Sequence, residues 1–268
     1  MIEHDDKVIT PEYLRSMSYP DFVALMKQDN TPPGSAYTVN YWIEHAGLSN
    51  HSVLLDLACS TGYSSRYCFS KTGSSAEGID ISEMAISTAR EKAAALGAED
   101  KLRYQVSDAC SLPFSNDTFT HILGGCNFAF IQDREKALAE VVRVLKPEGI
   151  ICTSNFYYRT PPSEEIINGV YNAIGFRPDP EWTLQYWQDF FASADLELYH
   201  EKNHELSSQP RDELKKNLLS YVTAENEYTR HLDETTQNAF YERYLAIREP
   251  LNDQRNYQGV TIQLWRKK

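Results

Sequence analysis

Val53-Leu54-Leu55-Asp56-Leu57-Ala58-Cys59-Ser60-Thr61-Gly62-Tyr63 is the stretch that decides the fold of this 268-residue chain. Its first half, Val53–Leu57, is an apolar run of strand length. Its second half is a loop of mostly small residues. A short buried strand that empties into such a loop and then into a helix opens a β-α-β unit.

The signals repeat outward from there. Gly78-Ile79-Asp80-Ile81 ends a second strand, after which Ser82 caps a helix with Glu83 in its first turn. Ala85, Ile86, Ala89, Ala93 and Leu96 give that helix its apolar stripe, and Gly97 suits its C-terminal cap. Leu102–Ser107 alternates as a third strand and Phe119–Gly124 reads as a fourth. Asp133 caps a helix carrying Leu138, Val141, Val142 and Leu145 at helical spacing. Pro147 stops that helix, and Gly149 turns the chain into a fifth strand, Ile150–Asn155. Thr183 caps a helix leading into Leu196–His204, and Gly259–Arg266 alternates as a last strand. Pro11–Met26, Ser35–Ala46 and, as two polar helices, Pro210–Glu249 complete the expected elements.

These signals divide the chain into four parts. Residues 1–47 form an N-terminal helical arm, 48–207 an α/β core, 208–255 a helical insertion, and 256–268 the last core strand. The arm and the insertion are expected to act as a lid over the strand ends. Net charge is −12. The acidic excess lies before residue 200, and no segment is basic, so a nucleic-acid partner is not expected. The apolar runs are strand-sized, which gives no membrane span. The first residues lack the basic start and apolar core of a signal peptide, and the five cysteines show no C-x-x-C spacing. A cytoplasmic protein with reduced thiols and no metal site is expected. Cys59, Cys68, Cys110, Cys126 and Cys152 read as small packing residues.

In an open α/β sheet, ligands bind at the carboxyl ends of the strands near the switch point. Ala58, Ser60 and Gly62 let backbone approach a ligand there, and the following helix aims its first amides at it. Asp80 ends the second strand, where a carboxylate can accept from two ribose hydroxyls. Asp108 ends the third, within reach of an adenine amino group. Asp56 reads equally well as a brace for the loop.

These residues carry a resemblance. Val53–Gly62 resembles the first motif of class I S-adenosylmethionine-dependent methyltransferases, V-L-D-L-G-C-G-T-G. Asp56, Leu57, Cys59, Thr61 and Gly62 match, while Ala58 and Ser60 stand in place of two glycines. Gly78-Ile79-Asp80-Ile81-Ser82 resembles the second motif. Asp108-Ala109, Leu112-Pro113-Phe114 and Asp117-Thr118-Phe119 resemble the family's D-A…L-P-F…S-F-D stretch, and Leu145-Lys146-Pro147-Glu148-Gly149 its L-K-P-G-G turn. The resemblance covers about Val53 to Asn155. It implies a Rossmann-like, mostly parallel sheet of seven strands with helices on both faces, and S-adenosyl-L-methionine as cofactor. It places Ala58, Ser60 and Gly62 at the methionine and ribose, with Asp56 beside them as a cofactor-site candidate, Asp80 and Ile81 at the ribose and adenine face, and Asp108 and Ala109 at the adenine edge. Gly125 and Cys126 then pass near the sulfonium.

The expected activity is methylation of a small molecule at oxygen or nitrogen. The alternatives are another S-adenosylmethionine chemistry or a non-catalytic binder of the cofactor or its product. A nicotinamide-dependent oxidoreductase is a weaker alternative, because the pyrophosphate-binding glycine pattern is missing. Gly125-Cys126-Asn127-Phe128 is not the N-P-P-Y-type sequence of amide- and nucleobase-methylating relatives. Tyr41, Asn127, Phe130 and Tyr157 are the candidate acceptor contacts, in an aromatic setting suited to a cationic or planar substrate. His204 and Tyr37 are the candidate catalytic residues, since a hydroxyl acceptor needs a base.

Overall fold

The structure is a computed structural model and describes residues 3–4 and 7–268 of the chain. Glu3–His4 pairs antiparallel with Lys7–Val8 as a two-residue ladder. The chain then forms α1 (Pro11–Ser16), α2 (Tyr19–Leu25), α3 (Ser35–His45), β1 (Val53–Leu57), α4 (Tyr63–Thr72), β2 (Ser75–Asp80), α5 (Glu83–Ala95) and β3 (Leu102–Val106). It continues through β4 (Phe119–Gly125), α6 (Asn127–Phe130), α7 (Arg134–Val144), β5 (Leu145–Tyr158), α8 (Glu164–Ile174), α9 (Leu184–Ala192) and β6 (Leu196–Glu205). α10 (Arg211–Ser220), α11 (Glu234–Asp253) and β7 (Gln258–Lys267) close it.

The sheet has seven strands in the order β3-β2-β1-β4-β5-β7-β6. β1 pairs in parallel with β2 and with β4, as do β2 with β3 and β4 with β5, while β6 and β7 pair antiparallel. This is the mixed Rossmann-like sheet that the sequence implies. The chain runs outward from β1 through β2 and β3, then returns to β4 on the other side of β1. The switch point therefore falls between β1 and β4. Strand burial explains the arrangement. Leu54, Leu55, Leu57, Ile122, Leu123, Ile151 and Cys152 are all fully buried, as a strand covered on both faces requires.

Two compact units are distinguishable. The sheet unit comprises Asp29–Arg159, Glu181–Glu205 and Gly259–Lys268. The helical unit comprises the chain up to Gln28, Thr160–Pro180 and Leu206–Gln258. The division differs from the four-part expectation at two places. Helix α3 clusters with the sheet rather than with the arm, and Thr160–Pro180 clusters with the helices rather than with the core. In the helical unit, Phe22 packs on Phe240 and Tyr244 with centroids 5.9 and 6.3 Å apart. Asn226 ties that unit together. Its amide donates to the Met26 carbonyl and the Tyr221 hydroxyl, and its oxygen accepts from the Tyr228 and Thr229 amides.

Capping sets most helix starts. Thr10, Ser18, Ser82, Asp133, Ser163, Thr183 and Asp233 each accept from an amide in the first turn of the following helix. Ser18 and Pro20 split the single expected helix 11–26 into α1 and α2. Ser18 caps the second piece, and Pro20 sits in its first turn, where a missing N–H costs nothing. Helix α8 lies where no element is expected from the sequence. It buries Ile167, Val170 and Ala173 behind the Ser163 cap.

The handover from α7 to β5 also departs from expectation. The helix ends at Val144 and the strand already begins at Leu145, not at Ile150, so Pro147 and Gly149 lie inside the strand, where Glu148 is left-handed with φ of 60°. Gly149 is needed for space: a Cβ there would lie 2.6 Å from Leu145 Cδ1 and 2.8 Å from the Lys146 carbonyl oxygen.

Candidate active site

Four parallel strands bring the motif residues to one edge of the sheet. The register sets Asp56 beside Gly78 and Leu123, and Asp80 beside Val106. The loop after β1, the end of β2, the end of β3 and the end of β4 thus lie in a row.

The loop itself is unusual. Ala58 and Ser60 take φ of 45° and 48°, and Gly62 takes 74°. The left-handed region costs a residue with a Cβ about 1–2 kcal/mol. The two residues that replace family glycines therefore keep the glycine backbone shape at that cost. Asp80 holds one side of the loop: its Oδ2 accepts from the Ser60 amide at 2.8 Å, and its Oδ1 from the Ser82 amide at 2.9 Å. Gly62 is required because an added Cβ would lie 2.7 Å from the Tyr104 ring.

Asp56 serves the loop from beneath. It is 4% exposed, and its Oδ2 accepts from the Ser65 amide at 3.0 Å and the Ser65 hydroxyl at 2.6 Å. Burial pushes its carboxyl up to about 6, against the two Ser65 hydrogen bonds. This geometry makes Asp56 a brace for the loop, one of the two roles expected for it.

The remaining positions fall at the strand ends. Ile81 is 79% exposed next to Asp80, an apolar side chain left in solvent where a flat ring can cover it. Asp108 turns its Oδ1 to the Cys110 amide at 2.8 Å, and Ala109 is buried. Ser60 is 7% exposed and its hydroxyl has no hydrogen-bond partner. A buried polar group without a partner is costly, so this hydroxyl marks a place where a polar ligand fits.

Beyond β4, Cys126 caps α6 with φ of 66°. Burial raises its thiol to about 11, which keeps it protonated at neutral pH. Cys59, Cys68 and Cys152 are likewise buried with raised thiols. These cysteines pack rather than react. Gly125 meets Pro32: a Cβ on it would lie 2.5 Å from the Pro32 Cβ. Asn127 is buried and reaches the Ala58 carbonyl at 3.4 Å, linking the end of β4 to the loop after β1.

The candidate acceptor side divides. Tyr37 is half exposed, and its ring meets His204 edge-on at 5.3 Å. The His204 Nε2 is buried without a partner. Tyr41 lies one turn further along α3, 4.2 Å from His45, which stacks on His200 at 4.8 Å. Burial pushes the Tyr41 hydroxyl up. Phe130 and Phe156 are partly exposed, whereas Phe128 packs in the core against Phe190 and Phe191. Tyr157 is 9% exposed and fills the space over Gly259, so its ring is built into the sheet rather than offered to a substrate. His121 bonds to Thr120 and the Ala46 carbonyl and is structural. His231 faces Arg230 in the helical unit.

Sequence reasoning misses Asn155. It is fully buried inside β5, one residue beyond the Ser154–Gly125 pairing, and neither amide atom has a partner. The available signal was Ser154-Asn155, two polar residues closing an apolar strand.

A methyltransferase-domain family model matches residues 55–153, the span that holds these strand ends. The crystal structure of MccD protein is 56% identical to this chain, with a TM-score of 0.79, and the match covers 89% of this chain and 100% of that one. The chain belongs to the class I S-adenosylmethionine-dependent methyltransferases. S-adenosylmethionine is accordingly its cofactor. Among curated relatives, an uncharacterized protein of Haemophilus influenzae is 26% identical over 65% of this chain and 70% of its own length. The ubiquinone/menaquinone biosynthesis C-methyltransferase UbiE of a Marinomonas species is 31% identical over 50% of this chain and 53% of its own. The chain thus spans about half the length of that relative.

Proposed function

We propose that this chain transfers the methyl group of S-adenosylmethionine to a small-molecule acceptor at oxygen or nitrogen. The observation that carries the reading is the loop Ala58–Gly62, shaped for close approach, closed by the Ser60–Asp80 hydrogen bond, and lined by an unpartnered, buried Ser60 hydroxyl. Asp80 still has lone pairs for ribose hydroxyls, with Ile81 for the adenine face and Asp108 for its edge. Gly125 and Cys126 form the wall at the donor end.

The bound cofactor supplies an already activated methyl carbon. The protein's part is alignment, water exclusion and, for a hydroxyl acceptor, removal of a proton. The Tyr37–His204 contact supports His204 as the base, with its unpartnered Nε2 as the atom that takes the proton, and Tyr37 as its neighbour at the acceptor. Tyr41, Asn127 and Phe130 are assigned to the acceptor, and Tyr157 to support beneath them. UbiE acts at carbon, so the choice of oxygen or nitrogen rests on the Tyr37–His204 pair. The acidic surface and buried thiols support a small-molecule acceptor and a reducing compartment. No helix of the described residues is long and apolar enough to cross a membrane.

The test is product analysis with S-adenosylmethionine labelled in its methyl group, against a panel of amines, phenols and alcohols. Labelled acceptor with S-adenosylhomocysteine as co-product is expected, and His204→Ala is expected to lower turnover at least about a hundredfold. Release of 5′-methylthioadenosine instead would mean that a different carbon leaves the sulfonium, and would overturn methyl transfer while keeping the cofactor.

A further inference from the structure

Arg66 stands where helix physics argues against a cation. It lies in the first turn of α4, at the positive end of the helix dipole, and it is 8% exposed. The dipole and burial both disfavour its charge. Its partners account for it. One guanidinium nitrogen donates to the Thr61 carbonyl, inside the loop after β1. The other meets Asp29 Oδ1, and the same oxygen takes Lys92 from α5 at 2.7 Å.

Asp29 opens a segment that crosses the strand ends. The Asn30 amide faces Thr61 Oγ1 at 3.4 Å, and Pro32 occupies the space left by the missing side chain of Gly125. Residues 29–32 therefore reach from the loop after β1 to the end of β4. The loop they brace is the one in which Ala58 and Ser60 hold a left-handed backbone without glycine. Glycine adopts that conformation with little steric cost; alanine and serine need outside support to stay in it.

We infer that Asp29 and Arg66 are positioning residues for the cofactor. Their ion pair, anchored by Lys92, grips Thr61 and so keeps Ala58–Gly62 in its binding shape. Neither residue touches the cofactor in this account; each acts through Thr61. The inference rests on the reading that this loop binds S-adenosylmethionine.

Calorimetric titration with S-adenosylmethionine tests it. Arg66→Met and Asp29→Asn are each expected to weaken binding about tenfold, the order of one disrupted charge pair. Arg66→Lys keeps the charge but cannot fork between Thr61 and Asp29, so it should fall in between. Adding Ala58→Gly and Ser60→Gly to either weakened variant is expected to restore most of the affinity, since a loop relieved of its strain needs less bracing. A mere loss of fold stability would not be rescued in this way. Wild-type affinity in folded Arg66→Met and Asp29→Asn, or no recovery with the glycines, overturns the inference. If Arg66→Met does not fold, Asp29→Asn with the glycine pair makes the same comparison. Asp80→Ala separates the two readings. Loss of binding in Asp80→Ala without loss in Arg66→Met and Asp29→Asn removes the positioning role alone. Full affinity in Asp80→Ala removes the cofactor loop, and the positioning role with it.

Discussion

At the scale of single residues, Asp56 and Asn155 show opposite uses of a buried polar group. Asp56 is satisfied by Ser65 yet kept at about 6 by burial. Its folded value lies above its unfolded value, so the folded state holds the proton more tightly. Stability from this group is full below about pH 4 and is lost as pH rises through about 6. A shift of this size corresponds to about 3 kcal/mol. Urea unfolding of Asp56→Asn and wild type from pH 4 to pH 7 is expected to show the difference moving in favour of the variant by up to that amount. A pH-independent difference would contradict it. Asn155 has no partner at either end of its amide. Such a group costs about 1–3 kcal/mol, so Asn155→Leu is expected to raise stability by roughly that much. If Asn155 serves the reaction, the same variant loses turnover while still binding cofactor, which separates a functional amide from a packing defect.

At the scale of elements, the Leu145–Gly149 turn was legible in kind and misread in detail. The motif marks where α7 hands over to β5, but the strand begins at Leu145, before Pro147, rather than at Ile150. The left-handed residue is Glu148, however, and Gly149 is present because Leu145 and the Lys146 carbonyl leave no room for a Cβ. Spacing alone does not say which constraint a glycine answers. Gly149→Ala is expected to cost about 1–3 kcal/mol in urea unfolding through overpacking. Glu148→Gly is expected to gain up to about 1 kcal/mol by relieving the left-handed backbone. A neutral Gly149→Ala would show that the turn yields. Strand β7 teaches a related lesson. Its alternating Thr261 and Gln263 suggest one polar face, yet both are fully buried. Gln263 is satisfied by Glu201 and Trp265, while the Thr261 hydroxyl is unpartnered. Alternation reports chemistry, and exposure depends on what lies across the sheet.

At the scale of the whole molecule, ligand binding is expected to act on the sheet unit. S-adenosylmethionine at a hundred times its Kd should add about 2.7 kcal/mol to the stability of whatever binds it. Hydrogen exchange is the readout that locates the effect. Protection is expected at residues 56–63, 80–82 and 108–112, where the strand ends carry the loop and its two carboxylates. Protection confined to residues 211–253 would contradict the assignment. The helical unit was the least legible part. Residues 160–180 gave no expected element, because Gly169 interrupts the pattern of α8 and its apolar face matters only once α11 lies beside it.

The sequence by itself determined the order of the five strands and the main helices from Val53 to Asn155, the caps at Ser82, Asp133 and Thr183, and the nature of the cofactor. Those features follow from local periodicity, capping and a run of motifs at the strand ends, all of which act over a few residues. Tertiary structure decided what each polar group does. Asp56 became a brace because Ser65 folds back onto it. Tyr157 became packing because Gly259 lies beneath it, and Asn155 was left unpaired. Arg66 found its partner in Asp29, 37 residues away. Such pairings depend on which distant groups burial brings within a few ångströms, and no local pattern encodes that.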